Sequence, residues 1–320
     1  MPQQLPHSVP KVAILMATYN GASHVSAQIA SLLWQLGVHV DVYIRDDSSS
    51  DRTLAEVIDT FPGSRLHIIE DNCSVSAPLE RGPALNFYRL VATERVSAAT
   101  YEWIAFSDQD DIWLPTKLRS AINDCEQSGS VAWSSSVLGF WEASGRTAYI
   151  PKHGNASAIN YLFESPGPGC TILLRSDVFE SLQCFVRANF DFLRRIEFHD
   201  WLIYGFVVHK CGAWIISSRP SMLYRQHAQN VAGAGMSFSQ LSKKLFLISS
   251  GWYREQVLLL SLLLSMDKHP AIIRLRRMNL WDRICLPFVV WPHRRRFKDK
   301  VILALALPFS SLRISPDRVY

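Results

Sequence analysis

Short, continuously apolar runs alternate with amphipathic stretches over the first 125 residues. Residues 12–17 end in Thr18-Tyr19-Asn20-Gly21, and residues 40–45 end in Asp46-Asp47-Ser48-Ser49-Ser50-Asp51. Residues 66–70 form a third strand-like run, and residues 102–107 a fourth that ends in Asp108-Gln109-Asp110-Asp111. Between them, helical spacing covers residues 23–35 with Ser23 as N-cap, residues 52–60 with Asp51 as N-cap, and residues 83–94. Pro115 suits the first turn of a helix that runs to residue 125. Strands separated by helices predict an α/β fold with a mixed, mostly parallel sheet flanked by helices.

Ligands of such open sheets bind outside the carboxyl ends of the strands. The polar clusters follow the first, second and fourth strands, so three distant segments are expected to meet in one crevice. Each cluster taken singly reads equally well as a polar loop with a helix cap. Further along, Gly167-Pro168-Gly169 precedes an apolar run over 170–174, and a helix is expected over 177–185. Phe198-His199-Asp200-Trp201 opens a helix to about residue 209, and residues 215–217 and 222–225 read as short strands.

Composition sharpens this picture. Hydrophobic residues make up 48% and charged residues 19% of the 320, which supports a packed core and excludes a wholly disordered chain. The net charge of +5 hides an asymmetry: residues 240–320 carry 15 Lys and Arg against 5 Asp and Glu, and residues 1–239 carry 18 against 23. The basic tail is also aliphatic, with apolar runs over 257–266, 284–292 and 301–312, each shorter than the roughly 20 residues of a spanning helix. Arg274-Leu275-Arg276-Arg277 and His293-Arg294-Arg295-Arg296 set cations beside Trp281, Trp291 and Phe297, a mixture suited to helices in a membrane interface. Docking on the rest of the chain, or on a second subunit in a homodimer, is the alternative. Residues 1–10 have neither a basic nor an apolar leader region, so no signal peptide is expected. Six cysteines without a C-x-x-C pair exclude a disulfide scaffold, a zinc knuckle and a thioredoxin-type motif, and suit a reducing cytoplasm.

The candidate chemistry lies in five places. Asp108 and Asp110 offer hard oxygens to Mg²⁺ or Mn²⁺, whose shell diphosphate oxygens and water would complete; Asp111 alternatively caps the next helix. Asp47 can accept from a pyrimidine N3–H or bind ribose. Thr18, Tyr19 and Asn20 supply a hydroxyl, an aromatic face and an amide to a base and ribose. No G-x-G-x-x-G and no phosphate-cradling P-loop is present. Asp200, near a helix N-terminus, can take a hydroxyl proton or simply cap. Arg225 can pair with phosphate, and His227 can ligate a metal or phosphate.

Taken in order, ATYNG, IRDDSSSDRT, FSDQDDIWLP, PGPGCTILL, FHDW and YRQHAQNVAG resemble the family 2 glycosyltransferases with a GT-A fold, most closely the bacterial rhamnosyltransferase-like branch that builds cell-surface polysaccharide. The resemblance covers roughly residues 11–235. It implies a tail over 1–10, a GT-A catalytic domain over 11–239, and leaves 240–320 as a basic amphipathic helical extension. It implies Asp47 at the donor's pyrimidine with Thr18, Tyr19 and Asn20 beside the nucleotide. Asp108, Asp110 and His227 fall at the metal and diphosphate, and Asp200 becomes the general base of an inverting transfer. The implied partners are dTDP-rhamnose or a UDP-sugar as donor, a lipid-linked oligosaccharide as acceptor and an anionic membrane surface, with no nucleic acid. The implied location is the cytoplasm, peripheral at the inner membrane face. Two departures stand out: Asn72-Cys73-Ser74 lacks the family's glycine, with Pro78 in a longer stretch before Gly82, and His199 stands where many relatives carry an acid. A sugar nucleotidyltransferase is a rival, but it would want a basic, Gly-rich loop after the first strand, and residues 17–23 have no Lys or Arg. A non-enzymatic membrane or nucleic-acid binding module built on the tail would leave the acidic crevice unexplained.

Overall fold

The computed structural model describes residues 9–63, 65–70, 81–155, 157–227 and 238–310. The segment holding Asn72-Cys73-Ser74 and Pro78 lies outside the described residues, as do residues 1–8 and 311–320.

The chain begins with β1 (Lys11–Thr18), α1 (Val25–Leu33), β2 (His39–Asp46), α2 (Thr53–Thr60), β3 (Leu66–Ile68), α3 (Pro83–Ala92) and β4 (Trp103–Ser107). It continues through β5 (Ile112–Trp113), α4 (Lys117–Ser128), β6 (Ala132–Ser135), β7 (Val137–Trp141), β8 (Arg146–Ile150) and β9 (Leu173–Arg175). Then come α5 (Ser176–Ala188), α6 (Phe190–Leu193), α7 (His199–Lys210), β10 (Trp214–Ser217) and β11 (Met222–Gln226).

Seven strands form the main sheet in the order β10-β6-β9-β4-β1-β2-β3. All its pairings are parallel except those of β9, which runs antiparallel to β4 and β6. The central strand shows why the apolar runs are continuous: in β1, Val12, Ile14 and Met16 pack on one face of the sheet, Ala13 and Leu15 on the other. Helices α1 and α4 cover the first face, and α3, α5 and α7 the second. A strand buried on both faces cannot alternate with polar residues. One cap differs from expectation: the first N–H groups of α1 find the Gly21 carbonyl, not Ser23. Asp51 does accept the Thr53 N–H, at 3.0 Å, at the start of α2.

A second, four-stranded sheet, β5-β11-β7-β8, stands over the end of β4. Its antiparallel pairing of Leu223 with Ile112 sets the residues after Leu223 over the Asp108–Asp111 loop.

Among the described residues five α-helices follow: α8 (Phe238–Ser249), α9 (Trp252–Leu263), α10 (Pro270–Arg277), α11 (Leu280–Val290) and α12 (Phe297–Ala306). Their inner faces join the core of the α/β unit, so Trp252, Tyr253, Val257, Leu260, Leu275 and Leu286 are buried with residues of α7. Buried Arg254 donates to the carbonyls of Leu275 and Arg276, at 2.8 Å each, and satisfies the open end of α10. The outer faces are apolar: Leu280, Trp281, Ile284 and Phe288 on α11, and Phe297 and Leu305 on α12, are all more than half exposed. Among the described residues no helix is long and apolar enough to cross a membrane.

The second arginine cluster departs from expectation. Arg294 and Arg295 turn inward onto Glu164, at 3.5 and 3.3 Å, instead of facing headgroups. The reason is local: Glu164 is a buried carboxylate, and the Phe163 and Ser165 carbonyls, which receive the Arg294 and Arg295 guanidiniums, need donors.

Candidate active site

The carboxyl ends of β4, β1 and β2 lie side by side, with Met16 opposite Ser107 and Thr18 opposite Asp46. The three polar clusters therefore meet at one edge. Thr18 Oγ1 donates to Asp46 Oδ1 at 2.8 Å, which joins the ends of β1 and β2. Asn86 of α3 ties the same strands from behind: it donates to the carbonyls of Thr18 and Arg45, and accepts from Arg45 Nη1 at 2.7 Å.

Asp47 is 5% exposed. Its Oδ2 accepts the Gly82 N–H at 3.0 Å, while Oδ1 faces Arg45 Nη1 at 3.4 Å and Arg89 Nη1 at 3.8 Å. Gly82 holds φ of 149°, a conformation that a side chain would strain, and so delivers that N–H. Asn20 and Ser48 also adopt positive φ, 48° and 63°. Their loops lock together, with Asn20 N–H on Ser49 Oγ and Ser50 N–H on Asn20 Oδ1, both at 2.8 Å. Tyr19 is half exposed over this edge.

Gln109 was given no role by sequence reasoning. Its amide clasps the Tyr19 backbone, accepting from N–H and donating to the carbonyl at 2.8 Å each. A Cβ on Gly21 would come within 2.2 Å of Gln109 Oε1, so the clasp requires glycine there.

The acidic cluster divides in two. Asp110 points outward, and its Oδ2 lies 2.8 Å from His227 Nε2. Asp111 does not cap α4; fully buried, it accepts the Arg225 N–H at 3.1 Å. Asp108, Asp111 and the Cys170 thiol bring ligand atoms within 4.8 Å of one another. Burial, then the charge of Asp110, pushes Asp108 up to about 7, and burial raises Asp111 and the Cys170 thiol as well. Beneath them lies buried Lys117, over the Trp113 ring at 3.2 Å and donating to the Cys170 carbonyl at 2.5 Å; burial lowers it to about 7.

Arg225, expected at a phosphate, donates to Glu142 Oε1 at 2.8 Å and to the Asp110 carbonyl at 2.7 Å. Glu142 also meets His24 Nε2 at 3.1 Å, and the His24 ring stacks on His227 at 5.0 Å. His24, Glu142, Arg225 and His227 thus brace the orientation of Asp110, and neither His24 nor Glu142 carries a sequence signal of its own.

Asp200 opens α7 across the crevice, close enough that its charge acts on Asp108. It is 9% exposed, accepts the Trp201 N–H at 2.8 Å and is hydrogen-bonded to Ser165; burial pushes it up to about 6. His199 has no such freedom. Its ring stacks on Phe87 at 3.8 Å, a Cβ on Gly169 would lie 2.2 Å from its Nε2, and burial lowers it to about 3. It is a neutral packing residue.

Known proteins resemble this chain along most of its length. The dTDP-rhamnosyl transferase RfbG of Shigella flexneri is 33% identical over 292 residues, 91% of this chain and 98% of the relative. The UDP-Glc:alpha-D-GlcNAc-diphosphoundecaprenol beta-1,3-glucosyltransferase WfgD of Escherichia coli is 27% identical over 194 residues, 60% of this chain and 68% of the relative. Among solved structures, S. aureus TarS 1-349 superimposes with a TM-score of 0.53 at 14% identity, over 93% of this chain and 90% of that one. No protein-family model matches the sequence.

Proposed function

The chain belongs to the bacterial rhamnosyltransferase-like branch of the family 2 glycosyltransferases, and from that premise we propose that it is an inverting enzyme. It moves a rhamnosyl residue from dTDP-rhamnose, with a UDP-sugar as second choice, to a hydroxyl of a lipid-linked oligosaccharide that becomes cell-surface glycan. The donor reading is supported by the relative named for dTDP-rhamnose, which the chain covers almost end to end. The acceptor reading is supported by the relative named for a diphosphoundecaprenol-linked sugar.

One observation carries the proposal: the Asp110–His227 pair lies at the sheet edge, on the loop that also holds Asp108, with Asp200 facing that loop from α7. A divalent cation, Mg²⁺ or Mn²⁺, fits that set. Carboxylate oxygen and imidazole nitrogen are suitable donors. The edge of an octahedron with bonds of about 2.1 Å is about 3.0 Å, near the 2.8 Å between Asp110 Oδ2 and His227 Nε2. Held there by Asp110 and His227, the cation would neutralise the departing diphosphate, while Asp108, whose carboxylate sits with Asp111 and the Cys170 thiol, supports the loop from beneath.

The chain's own groups do the rest. Thr18, Tyr19, Asn20 and Asp47 hold the nucleotide, with Tyr19 offering its ring to the base. Arg225 acts through Glu142 and the Asp110 carbonyl and so positions the Asp108–Asp111 loop. Asp200 is oriented by Ser165 and the Trp201 N–H. It takes the acceptor proton as the hydroxyl oxygen bonds to the sugar C1 and the opposite C1–O bond to diphosphate breaks. A base raised to about 6 is still ionised at neutral pH and is more basic than an ordinary aspartate.

Residues 11–239 carry the donor and catalytic groups in this reading, and residues 240–320 the acceptor side. The exposed apolar face of α11 and α12, fringed by Arg274, Arg276 and Arg277, supports seating on the anionic inner face of the cytoplasmic membrane. The test is a screen of dTDP-rhamnose and UDP-sugars for slow hydrolysis by the purified chain, with Mn²⁺ and with EDTA. One donor is expected to be cleaved in a metal-dependent way. Cleavage of none, together with no thermal shift by dTDP or UDP, would overturn the reading.

A further inference from the structure

The inward turn of the C-terminal segment builds a second charged site. Lys152 follows β8; its N–H donates to Ser136 Oγ at 3.0 Å, and its stem lies against Gly167, where an added Cβ would come 3.2 Å from its Cγ. The residues after it lie along the tail: the Ser157 N–H donates to the Pro292 carbonyl at 3.0 Å, its hydroxyl meets His293 Nδ1, and Gly154 faces the Arg295 backbone. This brings Arg296 toward Lys152. Helix α8 adds Lys244, whose Nζ lies 3.4 Å from Asp299 Oδ1, and Arg296 Nε lies 3.6 Å from Asp299 Oδ2. Lys244 and Arg296 therefore share one carboxylate. The charges of Arg296, Asp299, Lys244 and Asp200 all act on the Lys152 ammonium, which makes no hydrogen bond or ion pair among the described residues. Arg294 and Arg295, which share the single carboxylate of Glu164, add to the positive charge of this region.

We propose that Lys152, Lys244 and Arg296 form an anion subsite on the acceptor side of Asp200, for the phosphate or diphosphate that joins the acceptor glycan to its lipid. The inference rests on the glycosyltransferase reading and adds to it the way the acceptor is recognised. Arginine and lysine are the side chains suited to phosphoryl oxygens, and one aspartate shared by Lys244 and Arg296 leaves part of the charge of the cluster unmatched. Phe297, next to Arg296 and 69% exposed, meets Trp291 edge-on at 5.7 Å. The apolar outer face of α11 and α12 thus starts at the subsite, so a lipid leaving it meets apolar surface.

The test titrates farnesyl diphosphate into the full chain by calorimetry, with EDTA and saturating dTDP so that the donor side is filled and metal-free. Lys152→Met and Arg296→Gln are each expected to weaken binding roughly tenfold, the loss of one charge-assisted contact. Exposed Lys244→Gln should weaken it less, and Asp299→Asn, which removes the competing carboxylate, should tighten it. That opposite sign is not expected from misfolding. Inorganic pyrophosphate should compete weakly and farnesol not at all. Binding unchanged in Lys152→Met and Arg296→Gln would overturn the subsite, as would capture by phosphatidylglycerol vesicles with no affinity for farnesyl diphosphate. Donor cleavage by the wild type alongside unchanged binding in the variants would sink the subsite alone. Variant-sensitive binding without donor cleavage would support the subsite and sink the enzyme reading.

Discussion

Replacing Asp200 by Asn should make the protein more stable and nearly inactive. The carboxylate is buried, and burial raises it from 3.8 to about 6 against the opposing pull of Ser165, the Trp201 N–H and the Lys152 charge. The folded state therefore favours the protonated form. Its contribution to stability is fully present below about pH 3.8 and is lost as pH rises through about 6. Above that range, ionised Asp200 costs the fold about 3 kcal/mol relative to a neutral side chain, at about 1.36 kcal/mol per tenfold. Asparagine is neutral throughout and keeps an oxygen for the Trp201 N–H. For a chain of this length roughly 2 °C accompanies each kcal/mol, so Asp200→Asn should melt roughly 6 °C higher at pH 7.5 and equally at pH 4. Loss of a general base should lower kcat by about 10²–10⁴ with donor affinity little changed. Scanning calorimetry across pH and transfer kinetics check the two halves, and kcat of the wild type should rise with pH through about 6. A variant no more stable at pH 7.5, or one that keeps a tenth of wild-type kcat, would refute the reasoning.

Asp110→Ala is expected to abolish transfer and Mn²⁺-dependent dTDP binding, read by thermal shift, with Asp108→Ala less complete; undiminished turnover in EDTA would remove the metal. Gln109→Ala opens the clasp on Tyr19, and Gly21→Ala should do the same by displacing the amide. Two neutral hydrogen bonds are worth about 1 kcal/mol each, so donor KM should rise at least tenfold in both with kcat nearly kept; a loss confined to kcat would contradict this. The double variant Trp281→Ser, Phe288→Ser should lose most co-sedimentation with phosphatidylglycerol vesicles, and wild-type binding should fall in about 0.5 M salt. Sedimentation indifferent to both changes would point to a homodimer on that face.

The main sheet was legible because its strands are apolar on both faces and its helices carry ordinary periodicity. Each of β1, β2 and β4 falls within two residues of the expected run. The small sheet was not, because β7 and β8 mix polar, aromatic and glycine residues and are held through the pairing of β7 with β11, a long-range partner that no local pattern announces. The donor-side residues were legible as loops ending apolar strands. Their supports were not: Gln109, Lys117 and His24 act through tertiary neighbours some 50 to 200 positions away along the chain. The inward arginines were not legible for the same reason, since a basic run reads alike whether it faces a headgroup or a buried glutamate.

The sharing of one core between α7 and α9 bears on how such enzymes can be recombined. Trp201 stacks on Tyr253 at 5.7 Å, and Gly205 leaves room for Leu260 and Leu264, one turn after another along the helix that carries Asp200. A chain ending near residue 240 would uncover one side of that helix, so removal of the tail tests folding before it tests lipid binding. A chimera joined at the same point would set one parent's α7 against the other's α9. Exchange of acceptor preference between relatives should therefore succeed only when both helices travel together, and a graft of the tail alone should be insoluble however well its own sequence folds in its parent.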